Sequence, residues 1–284
     1  MAGKEGWPYR FEIGVLGVDD DDDNDATMRI GVLALQGGFA EHVSHLKKAS
    51  ALLVDEAWDV VEVRTAEELD CCDALVIPGG ESTCMAHICT TNNLLDPLRS
   101  FCSSKPVWGT CAGMIFLAKS IQGGKKGGQS LIGNMDITVN RNFFGNQRKS
   151  FETSMTLPDD HFAKISDKVK GGEKFRGVFI RAPAILMNES DAVAGGPEGV
   201  EYLSILDLDE PTHGVNRVAV AAKQDHILVT AFHPELTSDI RWHALFVQMA
   251  MRHKKERANA KERPKEFPKA PLPLAEIPDL PVLC

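Results

Sequence analysis

The segment Lys105–Lys119, KPVWGTCAGMIFLAK, places a cysteine between a short apolar run and a segment of helical character. Residues 106–108 are typical of a buried strand and residues 112–119 of a helix, so a tight turn at Cys111 must join them. Gly109 and Gly113 keep both sides of that turn free of bulk. This strand–turn–helix unit predicts an α/β fold with Cys111 at the tip of the turn.

A cysteine at such a turn has two interpretations. It is either a small buried side chain in a tight strand–helix junction or an exposed nucleophile. The helix that follows favours the nucleophile, because the positive end of its dipole stabilises a thiolate. Its free N–H groups, starting near Ala112, can also stabilise an oxyanion.

Short apolar runs alternate with helical segments on both sides of this unit, which predicts a mostly parallel sheet covered by helices on both faces. We expect strands at 30–35, 60–63, 74–77 and 106–108, and helices at 39–48, 83–101 with a break near 91–93, and 241–251. Segments 139–152, 177–180, 218–222 and 227–232 predict a small antiparallel extension and the last strands. The polar segment 195–216 is expected to be a loop, and we assign it no role.

The composition indicates three regions in the 284 residues. Residues 1–27 carry an aspartate run and are expected to be an acidic disordered leader, with Met28 as a candidate natural start. Residues 28–251 form the predicted catalytic domain. Residues 252–284 are rich in lysine and proline and are expected to be a solvated tail.

Charge and cysteine content narrow the class of protein. The net charge of −9 gives no reason to expect nucleic acid or an anionic membrane as a partner. The start of the chain lacks the features of a signal peptide, so a cytoplasmic location is expected. The seven cysteines are irregularly spaced, which indicates reduced thiols. Cys84-x-x-His87 has no second pair at zinc-site spacing, so we expect no metal.

The segment Ala231–Glu235, AFHPE, supplies a candidate base for Cys111. His233 follows a predicted strand and precedes a proline, which favours extended backbone. Residues two apart in extended backbone share a face, so Glu235 can orient the imidazole of His233. The alternative is a His-Pro turn that faces solvent.

The segment Pro78–Thr83, PGGEST, is a candidate ligand loop after a third strand. Its two glycines allow backbone N–H groups to face a ligand, and Ser82 or Thr83 can cap the next helix. Glu81 would then lie at the carboxyl edge of the sheet, where ligands bind in such folds. The alternative is a plain turn.

The motifs PGGEST, GTCAG and HPE, in this order and spacing, resemble those of class I glutamine amidotransferases. The segments GVLALQGGFAEH (31–42), RNFFGNQRKSFE (141–152), FIRAP (179–183) and FHPELT (232–237) are similar to the glutaminase subunit of pyridoxal 5′-phosphate synthase, in its plant-type form. The resemblance covers about residues 28–250. It implies a flavodoxin-like three-layer sandwich.

The resemblance also implies roles for individual residues. Cys111 would attack the side-chain amide of L-glutamine, His233 would transfer protons, and Glu235 would orient His233. Backbone N–H groups of Gly80 and Ala112 would hold the oxyanion. Residues matching the family's substrate contacts are Gly79, Gly80, Glu81, Arg141, Ile180 and Arg181; without the family, surface salt bridges would be the default for the two arginines.

The implied partner is a (β/α)₈-barrel synthase subunit that receives the ammonia, and no cofactor is expected. The resemblance implies that the glutaminase is weak until this partner docks, with Gln36 and the loop after the first strand involved. Two alternatives stay open. One is a free-standing γ-glutamyl hydrolase, and the other is a non-catalytic stress or scaffold protein on the same fold.

Overall fold

The computed structural model describes residues 28–54, 58–123, 128–145, 150–166, 168–169, 171–187, 197 and 199–262. The predicted leader and the part of the predicted tail beyond Glu262 lie outside the described residues. The division of the chain into three regions therefore stays a prediction.

Strands and helices alternate through the first part of the chain, and strands dominate the second. The strands are β1 (Arg29–Leu33), β2 (Asp59–Val63), β3 (Ala74–Ile77), β4 (Val107–Thr110), β5 (Ala118–Gln122), β6 (Met135–Asn140), β7 (Ser150–Thr156), β8 (Lys174–Ile180), β9 (Ala184–Ile185), β10 (Val200–Thr212), β11 (Val215–Gln224) and β12 (Ile227–Thr230). The helices are α1 (Phe39–Leu53), α2 (Ala66–Asp70), α3 (Ser82–Thr91), α4 (Leu95–Cys102), α5 (Ala112–Leu117), α6 (Asp159–Ser166) and α7 (Arg241–Glu262).

The centre of the fold is a parallel sheet in the order β2-β1-β3-β4-β12. Every residue of β3, β4 and β12 is buried, as expected for parallel strands covered on both faces. The sheet continues through antiparallel pairs into β11, β9 and β6, and β5 and β10 complete it. Strands β7 and β8 form a separate antiparallel ribbon. The predicted fold class, a mostly parallel α/β sheet with a small antiparallel extension, is confirmed.

Helices cover the sheet in two groups. Helix α1 packs against α7, and α7 packs against α6. In the second group α4 contacts α2 and α3, and α3 contacts α5. Strand order reverses between β1 and β3, because β2 lies outside β1 while β3 and β4 follow on its other side. Crevices at such reversal points are the usual ligand sites of open α/β sheets.

Three predictions about local structure are wrong. The segment 195–216 is not a loop, because β10 and β11 form a long hairpin there, and register shifts along this hairpin interrupt the alternation that would mark β10 as a strand. The segment 139–152 is broken by a turn at 141–145. Helix α7 continues past residue 251 to Glu262, since residues 252–262 contain good helix formers and the prolines begin at 264.

Candidate active site

Three neighbouring strands bring the candidate residues to one edge of the sheet. Cys111 follows β4 directly, and its backbone N–H donates to the carbonyl of Thr230, the last residue of β12, at 2.7 Å. His233 lies three residues beyond that point. Strand β3 pairs with β4 on the other side, so the Pro78–Thr83 loop leaves the sheet beside Cys111. The parallel register thus places all three motifs at the same carboxyl edge.

The turn at Cys111 is as tight as the glycines indicated. Cys111 has φ 47° and ψ −98°, a backbone conformation that L-residues rarely adopt. A Cβ on Gly113 would lie 2.1 Å from the carbonyl oxygen of Ile77, and one on Gly109 would lie 2.6 Å from the backbone of Gly113. Both positions therefore need glycine so that α5 can pack against β3 and β4. The thiol is mostly buried, with 6% of the residue exposed.

His233 lies between Cys111 and Glu235. Its Nδ1 donates to Oε1 of Glu235 at 2.7 Å, and its imidazole lines the same cavity as Cys111. Burial by itself would lower the pKa of His233, but its interactions with Cys111 and Glu235 outweigh burial and raise this pKa to about 10. His233 is therefore an imidazolium at neutral pH, paired with the groups on either side of it.

Glu235 is the buried anchor of this arrangement, with 3% of the residue exposed. Burial would raise the pKa of its carboxyl group. Electrostatic interactions with nearby His42 and His233, and the hydrogen bond from His233, overcome that effect and lower the pKa of Glu235 below its usual value. Glu235 therefore stays ionised and can hold the Nδ1–H of His233 in place.

A cavity of about 210 Å³ opens beside the thiol. It is lined by Gly80, Glu81, Ser82, Cys111, Ile115, Arg141, Asn142, Ile180, Arg181 and His233. The cavity thus collects Cys111, His233 and all but one of the predicted substrate-binding residues. The exception, Gly79, lies behind the wall, and a Cβ built on it would be 2.3 Å from the His233 ring.

Glu81 organises one side of the cavity. Its carboxylate accepts from Nη2 of Arg141 at 3.2 Å and from the backbone N–H of Thr83 and Cys84. The cap of α3 is therefore Glu81, and the expectation that Ser82 or Thr83 would cap this helix is wrong. Gln36 fixes the backbone of Glu81 from the loop after β1, since its amide donates to the Glu81 carbonyl at 2.7 Å.

The β7–β8 ribbon brings Ile180 and Arg181 to the cavity. The ring of Phe179 packs edge-on against Phe232, and the backbone N–H of His233 donates to the carbonyl of Val178 at 2.8 Å. The ribbon is thereby joined directly to the segment that carries His233, and it places the predicted substrate-binding residues Ile180 and Arg181 beside that histidine. A second cavity of about 420 Å³ adjoins the first and shares Asn142, Ile180 and Arg181 with it.

Four residues at or behind the cavity were not predicted: Ser82, Ile115, Asn142 and His42. Asn142 adjoins Arg141 and Ser82 adjoins Glu81, so their positions follow from motifs already identified. His42 ends the segment 31–42 that carries the family resemblance, but its helical spacing in α1 resembles an ordinary helix face, so no role was predicted for it. Within the described ranges, no cluster of His, Cys, Asp and Glu could hold a metal, and no helix is long and apolar enough to cross a membrane.

The chain is similar to known proteins over most of its length. The chain is 45% identical over 230 residues to the probable pyridoxal 5′-phosphate synthase subunit PDX2 of Arabidopsis thaliana, covering 78% of this chain and 86% of that one. It is 42% identical over 221 residues to the pyridoxal 5′-phosphate synthase subunit PdxT of Herpetosiphon aurantiacus, covering 78% and 99%. A crystal structure of a glutamine amidotransferase matches with a TM-score of 0.58 at 36% identity, covering 78% of this chain and 98% of that one.

The predicted resemblance and enzyme class are both confirmed by these matches. The region that matches at family level spans residues 32–252 and so includes every element that builds the cavity. On this evidence, the chain belongs to the SNO glutamine amidotransferase family.

Proposed function

We propose that this chain hydrolyses L-glutamine to glutamate and ammonia at Cys111 and passes the ammonia to a pyridoxal 5′-phosphate synthase subunit. The observation that carries the proposal is that Cys111 and His233 line one cavity of about 210 Å³, with Glu235 hydrogen-bonded to His233. A cysteine next to an oriented imidazole is the arrangement that attacks amides.

The reaction has two halves. The Cys111 sulfur attacks the side-chain amide carbon, and the oxyanion that forms is stabilised by backbone N–H groups of Gly80 and Ala112. His233 then donates its proton to the amide nitrogen, and the C–N bond breaks. Ammonia departs, and a γ-glutamyl thioester remains on Cys111. In the second half His233 accepts a proton from water, the hydroxide attacks the thioester, and glutamate leaves as the C–S bond breaks.

Charged groups around the cavity suit the two ends of an amino acid. Glu81 offers a carboxylate to the α-ammonium group, and Arg141 and Arg181 offer guanidinium groups to the α-carboxylate. Glu81 and Arg141 form an ion pair with each other at 3.2 Å. Glutamine would exchange that pair for two contacts of its own, and Ile180 would also contact the bound substrate.

The proposed partner is the (β/α)₈-barrel synthase that the resemblance implies. Relatives of this chain are named as subunits of pyridoxal 5′-phosphate synthase, which supports a synthase partner without reference to its fold. Gln36 would lie at the docking face, since the loop that carries it adjoins the cavity through Glu81. A cytoplasmic location and the absence of a cofactor stay predictions.

Ammonia release from L-glutamine, measured with and without the synthase subunit, tests this proposal. We expect the synthase to stimulate turnover, Cys111→Ala to abolish it while synthase binding survives, and Cys84→Ala to leave it unchanged. Cys84 is the matched control because it lies near the same edge but is exposed and does not line the cavity. Normal turnover by Cys111→Ala would overturn the proposal, and full turnover without the synthase would favour a free-standing hydrolase.

A further inference from the structure

His42 is a fully buried polar residue in contact with the proposed catalytic triad. It projects from α1, and its Nε2 lies 3.3 Å from Oε2 of Glu235 and 3.2 Å from Oγ1 of Thr110, the residue before Cys111. Its Nδ1 lies 3.0 Å from Nε2 of His243, which is also fully buried. The proposed reaction assigns no role to either histidine.

The second carboxylate oxygen of Glu235 is a potential hydrogen-bond acceptor for His42. Oε1 accepts the Nδ1–H of His233, whereas Oε2 is buried without an aligned hydrogen bond among the described residues. A buried carboxylate oxygen without a donor is costly, and a small rotation would turn the 3.3 Å contact with His42 into a hydrogen bond. His42 is therefore placed to determine which way the carboxylate faces.

The proposed contact with Glu235 fixes the position of the His42 proton. Because Glu235 is ionised and can only accept, His42 can donate to it only with the hydrogen on Nε2, and the Thr110 hydroxyl beside the same nitrogen would then act as an acceptor. Nδ1 of His42 then accepts, and Nε2 of His243 must be the donor to it. This leaves a lone pair on Nδ1 of His243, the atom that has no hydrogen-bond partner in the described part of the chain.

Burial keeps His42 neutral. It lowers the pKa of His42 to about 4, against the charge of Glu235 and with help from the charges of His233 and His45. Burial likewise lowers the pKa of His243 well below its ordinary value, and nearby His42 and His45 add to that effect. A neutral His42 with its proton on Nε2 donates to the carboxylate without competing with His233 for its charge.

We propose that His42 is a positioning residue that holds the second carboxylate oxygen of Glu235, with His243 fixing its tautomer, and so keeps the His233 imidazole aligned with Cys111. The inference rests on the proposed function, since alignment matters for that reaction. It extends the Cys111–His233–Glu235 arrangement by two buried histidines that reach from the active site to the α1–α7 interface.

The test compares two substitutions at His42 that differ in where they place an amide N–H. Glutamine reaches the Nε2 position, and asparagine reaches only the Nδ1 position. With the synthase present, and with active sites counted by a diazo-ketone glutamine analogue, we expect His42→Asn to lower kcat by about 10²-fold, with KM changed by less than about threefold. We expect His42→Gln to stay within about fivefold of the wild type.

The matched control is His45→Gln. His45 lies one turn away on α1 and packs against His243, but its ring nitrogens bond to the carbonyls of Glu41 and Thr237. The substitution His45→Gln should leave kcat per labelled active site within about threefold of the wild-type value. Equal kcat values for His42→Asn and His42→Gln, or an equal loss for His45→Gln, would overturn the inference.

A second readout does not depend on glutamine hydrolysis. The Nδ1–H proton of His233, in its 2.7 Å hydrogen bond to Glu235, should give a strongly downfield NMR resonance in the folded chain. His42→Asn should shift or broaden this resonance, whereas His42→Gln and His45→Gln should retain it. An unchanged resonance in His42→Asn would overturn the inference about His42, whether or not the chain hydrolyses glutamine. A failure of the wild type to hydrolyse glutamine, with the resonance shifted in His42→Asn, would overturn only the proposed function.

Discussion

The close approach of Gly79 to the proposed catalytic pair leads to a quantitative prediction for Gly79→Ala. A Cβ at this position would lie 2.3 Å from Cε1 of His233 and 3.3 Å from Cβ of Cys111. Carbon atoms pack best at about 3.5–4.0 Å, so the imidazole must retreat by roughly 1.2 Å or more. It cannot retreat freely, because Glu235 holds its Nδ1 and β8 holds its backbone.

The expected loss follows from that displacement. A misplacement of about 1 Å at a reacting group costs on the order of 10²-fold in rate. We therefore expect Gly79→Ala to lower kcat/KM for glutamine by about 10²-fold, which corresponds to about 2.7 kcal/mol of transition-state stabilisation.

The assay is ammonia release in the presence of the synthase, with thermal unfolding measured on the same samples. Gly172→Ala is the control, since no atom lies within 4 Å of a Cβ built at Gly172. We expect Gly172→Ala to match the wild type. If Gly79→Ala folds and retains more than about a third of wild-type kcat/KM, the inferred contact between Gly79 and the reacting imidazole is wrong.

Three further predictions concern buried polar residues. His233→Asn should lower turnover by about 10²–10⁴-fold in the ammonia assay, and a smaller loss would contradict its role in proton transfer. His42 has its pKa lowered from 6.5 to about 4 in the folded chain, so the unfolded chain binds the proton first and stability falls as pH drops from 6.5 towards 4. Between pH 7 and 4.5, urea unfolding of the wild type should therefore lose about 2.5 kcal/mol more than that of His42→Gln, and parallel losses would contradict the buried neutral state. Arg241 is buried, and its guanidinium group joins the start of α7 to Asp239 and to the carbonyl of Lys174. Replacement of Arg241 by Met should therefore lower the free energy of unfolding by about 3–5 kcal/mol. A loss below about 1 kcal/mol would contradict a stabilising role for these contacts.

The strongest sequence predictions were those with a local steric cause. The turn at Cys111 was predictable because Gly109 and Gly113 leave few other ways to join a strand to a helix, and the structure places backbone atoms within 2.1–2.6 Å of where their side chains would be. The central parallel strands were predictable because they are apolar throughout. The family resemblance implied that His233 acts on the same substrate as Cys111, and the structure gives the physical cause, which is the pairing of β4 with β12.

Features that depend on tertiary contacts were not predictable in this way. His42 lies on a helix whose pattern does not show what its buried face will meet, and its importance appears only when α1 is placed against Glu235 and α7. Strand β10 mixes charged and apolar residues without a regular alternation, which resembles a polar loop until β11 is paired with it. The end of α7 was predicted too early because residues 252–262 were grouped with the prolines that follow them.

The central claim is that Cys111 is the nucleophile and that it acts on glutamine. Reaction of the chain with a diazo-ketone glutamine analogue, followed by mass spectrometry of its peptides, tests this claim most directly. The account predicts one label on Cys111, protection by L-glutamine, and no label on Cys111→Ala. Labelling of an exposed thiol such as Cys71 or Cys84 in place of Cys111, or labelling that glutamine does not slow, would contradict it.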